Sequence, residues 1–294
     1  MAGNGSDARS VVITGASTGI GEACALRLDG MGYRVFAGVR KDADGEALRA
    51  KASERLTPVR IDVTDAASIA AARDAVAAAV GDAGISGLVN NAGVAIGGPI
   101  EFVPIADLRQ QIEINVIGQV AVTQAFMSLL RSQRGRVVFM GSIAGRMSTP
   151  FASPYAASKH ALEAIADALR VELRPWRMHV AIIEPGSIKT PIWDKADATS
   201  ERMERELSPE GHLLYEPAVK TMRKFFADAG ARGIPADKVA KAVAHALTAR
   251  RPKTRYIVGT DAHLQAILRV VVPDRLLDTL VERQLGLKRE APPE

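Results

Sequence analysis

The chain has 294 residues, of which 47% are hydrophobic and 24% are charged, so its composition is that of a globular protein and excludes disorder over most of its length. Its single cysteine, Cys24, excludes an internal disulfide framework and a cysteine-rich metal site, and we expect no metal. The N-terminus is polar, and no apolar run approaches the roughly 20 residues of a membrane-spanning helix. These features predict a soluble protein of the cytoplasm.

The formal net charge of +5 is concentrated near the C-terminus, since residues 220–294 hold 15 Lys and Arg but only 8 Asp and Glu. These basic residues are scattered among Ala, Leu and Asp without regular aromatic interleaving, which predicts a solvated face and no binding of nucleic acid. Two amphipathic segments, 264–271 and 276–281, are separated by Pro273. They could lie on a membrane surface, but we expect them to pack on the protein body or on another subunit.

From Ser10 onward, short apolar runs alternate with longer amphipathic stretches. The predicted strands are 11–13, 33–39, 57–61, 88–89, 137–140, 179–183 and 256–258, and the predicted helices are 22–28, 42–52, 66–80, 107–130, 155–173 and 237–249. This alternation predicts right-handed crossovers and a parallel sheet that helices cover on both faces. We therefore expect an N-terminal tail at 1–9, one doubly wound α/β domain at 10–260 and a helical extension at 261–294.

A glycine-rich turn joins the first strand to the first helix, with Gly15, Gly19 and Gly21 in the pattern G-x-x-x-G-x-G. Glycines at such a turn allow close approach of a pyrophosphate, and the helix N-terminus offers free N–H groups to it. The candidate contacts in the turn are Gly15, Ser17, Thr18, Gly19, Ile20 and Gly21. The alternative is a tight turn that binds no ligand.

The second strand ends in Val39, where an acidic residue would hold the adenosine 2′-hydroxyl, and Arg40 follows. A basic residue here suits the 2′-phosphate of NADP, so the sequence favours NADP, with NAD as the alternative. Arg40 and Lys41 could instead be solvated charges that open the next helix.

Tyr155 and Lys159 lie four residues apart at the start of a predicted helix and therefore share one helical face. A nearby cation favours the phenolate over a phenol of pKa near 10, so Lys159 and an oxidised nicotinamide would help Tyr155 act as an acid and base. Ser142 could position a substrate oxygen, and the buried amide of Asn115 indicates a specific role. Taken singly, each of these residues could be an ordinary structural or surface residue.

Together with the motifs 90–93 and 185–186, this set resembles the short-chain dehydrogenase/reductase family over residues 10–260. A shorter similarity at 33–40 points to its retinol/hydroxysteroid dehydrogenase branch. The resemblance implies a seven-stranded Rossmann domain with strand order 3-2-1-4-5-6-7, a homodimer or homotetramer, and a substrate lid at 190–236. It implies a catalytic tetrad of Asn115, Ser142, Tyr155 and Lys159. It further implies that the cofactor contacts include Asp62, Val63, Asn90, Ala92, Gly93, Tyr155, Lys159, Pro185, Gly186, Ile188 and Thr190.

The lid segment contains aromatic and aliphatic residues at helical spacing. They either form an apolar pocket for a lipophilic alcohol or carbonyl substrate, such as a lipid, steroid or retinoid, or only pack against the core. The predicted function is NAD(P)-dependent interconversion of an alcohol and a carbonyl. The alternative is a dinucleotide-binding sensor or scaffold without turnover, which loss of Tyr155 or Lys159 would have favoured.

Overall fold

The computed structural model describes residues 9–285, so most of the predicted tail at 1–9 and the last part of the extension at 261–294 lie outside the described residues. The strands are β1 (Ser10–Ile13), β2 (Arg34–Val39), β3 (Leu56–Arg60), β4 (Gly87–Asn90), β5 (Arg136–Met140), β6 (His179–Pro185), β7 (Ile188–Lys189), β8 (Ile234–Pro235) and β9 (Arg255–Val258). The helices are α1 (Gly19–Gly30), α2 (Asp42–Arg49), α3 (Ala66–Val80), α4 (Ile105–Ile112), α5 (Gly118–Ser132), α6 (Ser153–Glu172), α7 (Ile192–Glu206), α8 (Pro209–Ala231), α9 (Ala236–Thr248), α10 (Thr260–Val271) and α11 (Asp274–Leu285).

Seven strands form one parallel sheet in the order β3-β2-β1-β4-β5-β6-β9. Since β9 is the seventh strand predicted from the sequence, this order confirms the predicted doubly wound topology. The short strands β7 and β8 pair separately beside the main sheet. The order reverses direction at β1, and ligands of such sheets bind beyond the strand ends at this point.

Helices cover both faces of the sheet because successive strand side chains point to opposite sides. Val11 and Ile13 of β1 face α1 and α9, whereas Val12 faces the cluster that includes Phe126 of α5 and Leu162 of α6. All five side chains are fully buried. The sheet is therefore a rigid central layer that fixes where each strand ends.

A continuous helix of 28 residues runs from Ile105 to Ser132, with a π-helical turn at Glu113–Ile117 between α4 and α5. By length and composition alone it could cross a membrane, a test that a core helix of a soluble protein also passes. Val122, Phe126 and Leu130 are fully buried against the sheet. We therefore assign this helix to the protein core.

The segment predicted as a lid forms two helices, α7 and α8, and Arg223 of α8 binds three carboxylates of α7. Its guanidinium nitrogens lie 2.8–2.9 Å from Asp197, Glu201 and Glu204. Arg223 thereby joins the two helices by charge, and the stacked rings of Trp193 and Phe226 add an apolar contact between them.

The predicted extension forms α10 and α11 within the described residues. Ala262 and Ala266 of α10 pack against Ile143, which follows Ser142. The outer faces of the two helices expose the apolar residues Leu264, Ile267, Val270, Val271, Leu276 and Leu280. The extension therefore packs on the body by one face, and the other stays open.

Candidate active site

The glycine-rich turn between β1 and α1 has the geometry of a cradle for a ligand. Gly15 and Gly19 adopt positive φ angles of 63° and 62°, which favour glycine. A Cβ at Gly19 would lie 3.1 Å from Cβ of Thr190, so the turn faces the segment that follows β6. Within residues 9–285 the Thr18 side chain does not cap α1, which leaves its first N–H groups available to an anion.

The ends of β1 and β4 are joined by a hydrogen-bonded pair, Thr14 and Asn91. Oγ1 of Thr14 accepts bonds from the backbone N–H groups of Asn91 (2.9 Å) and Ala92 (3.0 Å). Nδ2 of Asn91 donates to the carbonyls of Thr14 and Gly15, both at 3.0 Å. These bonds fix the turn against the 90–93 segment and give the second asparagine of the motif, Asn91, a structural role.

The side chain of Asn90 does not face the turn, and its predicted contact with the cofactor stays a prediction. Its side chain is fully buried, and Nδ2 donates to Oγ1 of Thr123 on α5 at 2.8 Å. The amide thus joins β4 to α5 rather than facing the turn, because the side chain before Asn91 points to the opposite side of the strand. Ala92 and Gly93 lie on the side of the turn and of Asn115.

The adenosine end of the predicted cofactor site brings Arg40 and Asp62 together. Arg40 is exposed directly after β2, and its charge contributes to lowering the pKa of Asp62. Hydrogen bonds from the backbone N–H (3.0 Å) and hydroxyl (2.7 Å) of Thr64 lower that pKa most. Within residues 9–285 the Arg40 guanidinium has no hydrogen-bond or ion-pair partner, so it is free to meet an anionic group, while Val63 beside Asp62 is buried.

Asn115 lies in the π-helical turn, where its amide is fully buried and fully bonded. Oδ1 accepts from the backbone N–H of Val94 at 2.9 Å, and Nδ2 donates to the Val94 carbonyl and to Oγ of Ser158, both at 3.0 Å. Ser158 in turn donates to the Tyr155 carbonyl at 2.7 Å. Asn115 therefore connects the segment after β4 to the first turn of α6.

Gln111 completes this network, and our sequence analysis did not identify it. Its Oε1 accepts from the Ile96 N–H at 2.7 Å and its Nε2 donates to the Val94 carbonyl at 2.8 Å. It lies four residues before Asn115 and is also fully buried. Two polar residues on one face of an apolar helix are the signal that could have found it.

Tyr155, Lys159 and Ser142 converge at the C-terminal end of β5. Nζ of Lys159 donates to the Met140 carbonyl at 2.7 Å and lies 5.5 Å from the centre of the Tyr155 ring. Ser142 is buried, caps the short turn Ile143–Gly145 and hydrogen-bonds to Tyr155. The four predicted tetrad residues are thus gathered by β5, α6 and the π-helical turn.

Burial controls the titration of both central residues. It raises the pKa of Tyr155, which the hydrogen bond to Ser142 partly opposes, and it lowers the pKa of Lys159 to about 8. We expected Lys159 to lower the pKa of Tyr155, but in this chain alone removal of water around the phenol has the larger effect. A protonated Tyr155 beside a lysine that is charged up to about pH 8 is suited to give a proton to a carbonyl oxygen.

The segment after β6 lies opposite the glycine-rich turn. Gly186 donates its N–H to the Val258 carbonyl at 2.9 Å, and Asp261 accepts from the N–H of Ser187 at 2.7 Å. A Cβ at Gly186 would lie 2.5 Å from the carboxyl carbon of Asp261. Pro185 is buried in β6, and the same segment continues to Ile188 and Thr190. The first turn of α10 therefore supports the 185–187 turn, which was not apparent from the sequence.

Tyr215 of α8, in the segment predicted as a lid, forms an aromatic cluster with Phe102 and Phe151. The Tyr215 ring lies 5.7 Å from that of Phe102 and 6.2 Å from that of Phe151, both edge-to-face. Phe151 precedes Tyr155 by four residues. By contrast, Met203 is buried against Ile96 and Val103, so apolar residues of the segment predicted as a lid pack against the body of the protein.

The family model described as short chain dehydrogenase matches residues 9–201. The NADPH-dependent 3-dehydrocapnine reductase of Ornithobacterium rhinotracheale is 38% identical, covering 94% of this chain and 97% of its own length. The 17-beta-hydroxysteroid dehydrogenase type 6 of Rattus norvegicus is 36% identical (96% and 89%), and retinol dehydrogenase 5 of Mus musculus is 34% identical (92% and 87%).

Solved structures agree with these relatives. A short chain dehydrogenase/reductase from Burkholderia phymatum in complex with NAD has a TM-score of 0.75 at 26% identity, covering 98% of both chains. A short chain dehydrogenase from Burkholderia cenocepacia J2315 in complex with NADP has a TM-score of 0.68 at 26% identity, covering 96% of this chain and 99% of its own. The chain therefore belongs to the short-chain dehydrogenase/reductase family and lies in its retinol/hydroxysteroid-like branch.

Proposed function

We propose that this protein is an NADP(H)-preferring oxidoreductase that interconverts an alcohol and a carbonyl on an apolar substrate, with Tyr155 as the acid and base. The single observation that carries the proposal is the convergence of Tyr155, Lys159 and Ser142 at the C-terminal end of β5. A dinucleotide fits this site because positive-φ glycines, free helix N–H groups and an unpaired Arg40 lie along one edge of the sheet.

When bound, the nicotinamide ring supplies or accepts the hydride and, in its oxidised form, a positive charge. In the reductive direction, Ser142 holds the substrate oxygen and Tyr155 gives it a proton. The raised pKa of Tyr155 keeps the phenol protonated, so that it has this proton to give. Lys159 stabilises the phenolate that remains, and Asn115 fixes the first turn of α6 through Ser158. In the oxidative direction, Tyr155 receives the proton of the alcohol.

The change Tyr155→Phe tests the role of the phenol. It should leave NADPH affinity within about threefold of the wild type, because the ring remains, and lower turnover at least ~100-fold, the usual contribution of a positioned acid or base. The control is Tyr33→Phe, which removes a buried phenol far from the site. Turnover would be followed by NADPH oxidation with a long-chain aldehyde, retinal and a ketosteroid. Normal turnover in Tyr155→Phe would refute the role.

In this proposal Arg40 sets the preference for NADP(H) over NAD(H). A relative named as NADPH-dependent and a neighbour solved with NADP support this preference. A neighbour solved with NAD keeps NAD as the alternative. Arg40→Ala should weaken NADPH binding about tenfold or more, the value of one charge-assisted hydrogen bond, and leave NADH binding unchanged. Lys41→Ala is the matched control. Equal losses for both coenzymes would refute the assignment.

The aromatic cluster at the lid supports a lipophilic substrate, as do relatives named for retinol and hydroxysteroids. We further propose that the protein self-associates as a homodimer or homotetramer, since Ile105 and Ile117 are 59% and 49% exposed on the long helix. Light scattering of the wild type and of Ile117→Glu measures this: a wild type that is monomeric would refute it. The cytoplasmic location stays a prediction.

A further inference from the structure

Glu184 is a fully buried carboxylate that immediately precedes the Pro185–Gly186 turn. Nη2 of Arg146 donates to its Oε1 at 2.8 Å, and Nε of Arg146 lies 2.8 Å from Oε2. Nε of Arg255 lies 3.4 Å from Oε1. A buried carboxylate is costly unless cations and hydrogen bonds compensate it, and here two guanidinium groups do so.

These contacts join elements that carry the active site. Arg146 follows the short turn capped by Ser142, and Arg255 begins β9. Nε of Arg255 also donates to Oε2 of Glu163 at 3.0 Å, and Glu163 lies one helical turn after Lys159 on α6. The cluster therefore links the Ser142 segment, the catalytic helix and the end of β6.

Glu163 and Glu184 bring two carboxyl groups together in this cluster. Burial and the neighbouring Glu184 raise the pKa of Glu163, which Arg255 partly opposes. Oε1 of Glu163 is buried and has no hydrogen-bond partner within residues 9–285. A proton shared between the two carboxyl groups would give this oxygen a hydrogen bond. The remaining charges that face the pair are Arg146, and Asp167 with Arg170 on the outer side of α6.

We propose that Glu184 is a positioning residue that holds the Pro185–Gly186 turn and the Ser142 segment in register with α6, and that a proton on Glu163 maintains this arrangement. The proposal rests on the proposed function and takes the 185–190 segment, which the family resemblance counts among the cofactor contacts, to meet the nicotinamide half of the coenzyme. Loss of the Glu163 proton places a second negative charge beside Glu184. Binding of the nicotinamide half should then weaken as pH rises.

The test compares two ligands of the wild type and of three variants: NADPH, and 2′,5′-ADP, which carries only the adenosine half. Glu184→Gln should weaken NADPH binding about tenfold and change 2′,5′-ADP binding less than about twofold. Glu163→Gln imitates the protonated acid and should remove the decline of NADPH affinity between about pH 6 and 7.5, below the range in which Lys159 loses its charge. Asp167→Asn, which also contacts Arg255 but not Glu184, should match the wild type.

The comparison with 2′,5′-ADP cancels the titration of the 2′-phosphate, which both ligands carry. The proposal would be overturned if Glu184→Gln lost affinity for both ligands equally or for neither. It would also be overturned if NADPH binding to Glu163→Gln kept the pH dependence of the wild type. This second criterion applies even if Glu184→Gln does not fold. If the wild type prefers NADH, the same test uses NADH in place of NADPH and 5′-ADP in place of 2′,5′-ADP. A wild type that binds the full dinucleotide no better than the fragment contradicts the proposed function itself, and this inference falls with it.

Discussion

Replacing Gly21 by alanine tests whether the glycine-rich turn is set by close packing rather than by flexibility. An added Cβ would lie 2.6 Å from Nδ2 of Asn91 and 2.9 Å from the carbonyl carbon of Gly15, and its nearest atom would be the Gly15 carbonyl oxygen. Two of these atoms belong to the backbone, which cannot rotate away. Relief of the clash must therefore move the turn or displace Asn91.

The cost can be approximated from two contributions. Overpacking of a tight site costs about 1–3 kcal/mol, and the two hydrogen bonds that Asn91 donates contribute about 1 kcal/mol each. Together they amount to about 3–5 kcal/mol. A change of 1.4 kcal/mol alters an equilibrium constant tenfold, so NADPH affinity should fall at least ~100-fold if the turn moves. If the turn does not move, the free energy of unfolding should fall instead.

Urea unfolding and NADPH fluorescence titration measure the two quantities. Gly30→Ala is the control within the same helix, because nothing lies within 4 Å of its added Cβ. It should be neutral or stabilise the protein by up to about 1 kcal/mol. The reasoning is refuted if Gly21→Ala keeps both its unfolding free energy within about 1 kcal/mol and its NADPH affinity within about threefold of the wild type.

Three further results are expected. Asp261→Ala removes the acceptor of the Ser187 N–H, so the free energy of unfolding measured in urea should fall by about 1.5–3 kcal/mol. The control Asp278→Ala, at an exposed site, should change it by less than about 0.5 kcal/mol. Equal effects of the two changes would contradict this account. Burial raises the pKa of Cys24 to about 12, so iodoacetamide should modify it at pH 8 only after unfolding, and rapid labelling of the native protein would disprove its burial. Since the pKa of Lys159 lies near 8, its charge is lost above that pH, and carbonyl reduction should slow there; an unchanged rate to about pH 9.5 would exclude a charged Lys159 as the stabiliser.

The fold could be predicted because its signals are local. Apolar runs buried on both faces, such as Val11–Ile13, and amphipathic stretches of ten or more residues each lie within one element. The glycine-rich turn and the pair Tyr155 and Lys159 are likewise contiguous motifs. The π-helical turn at Glu113–Ile117 was not predicted, because one widened turn hardly alters the periodicity of a helix that continues on both sides.

The sequence by itself determined the order of strands and helices, the position of the turn and the identity of the tetrad candidates, since spacing along the chain carries that information. Only the tertiary structure decided that Asn91 rather than Asn90 braces the turn, that Glu184 meets Arg146 and Arg255, and that Asp261 supports Gly186. These partners are separated by tens of residues and are brought together by parallel strands ending at one edge of the sheet. Periodicity within an element does not encode a contact between two elements, so such pairings follow from packing alone.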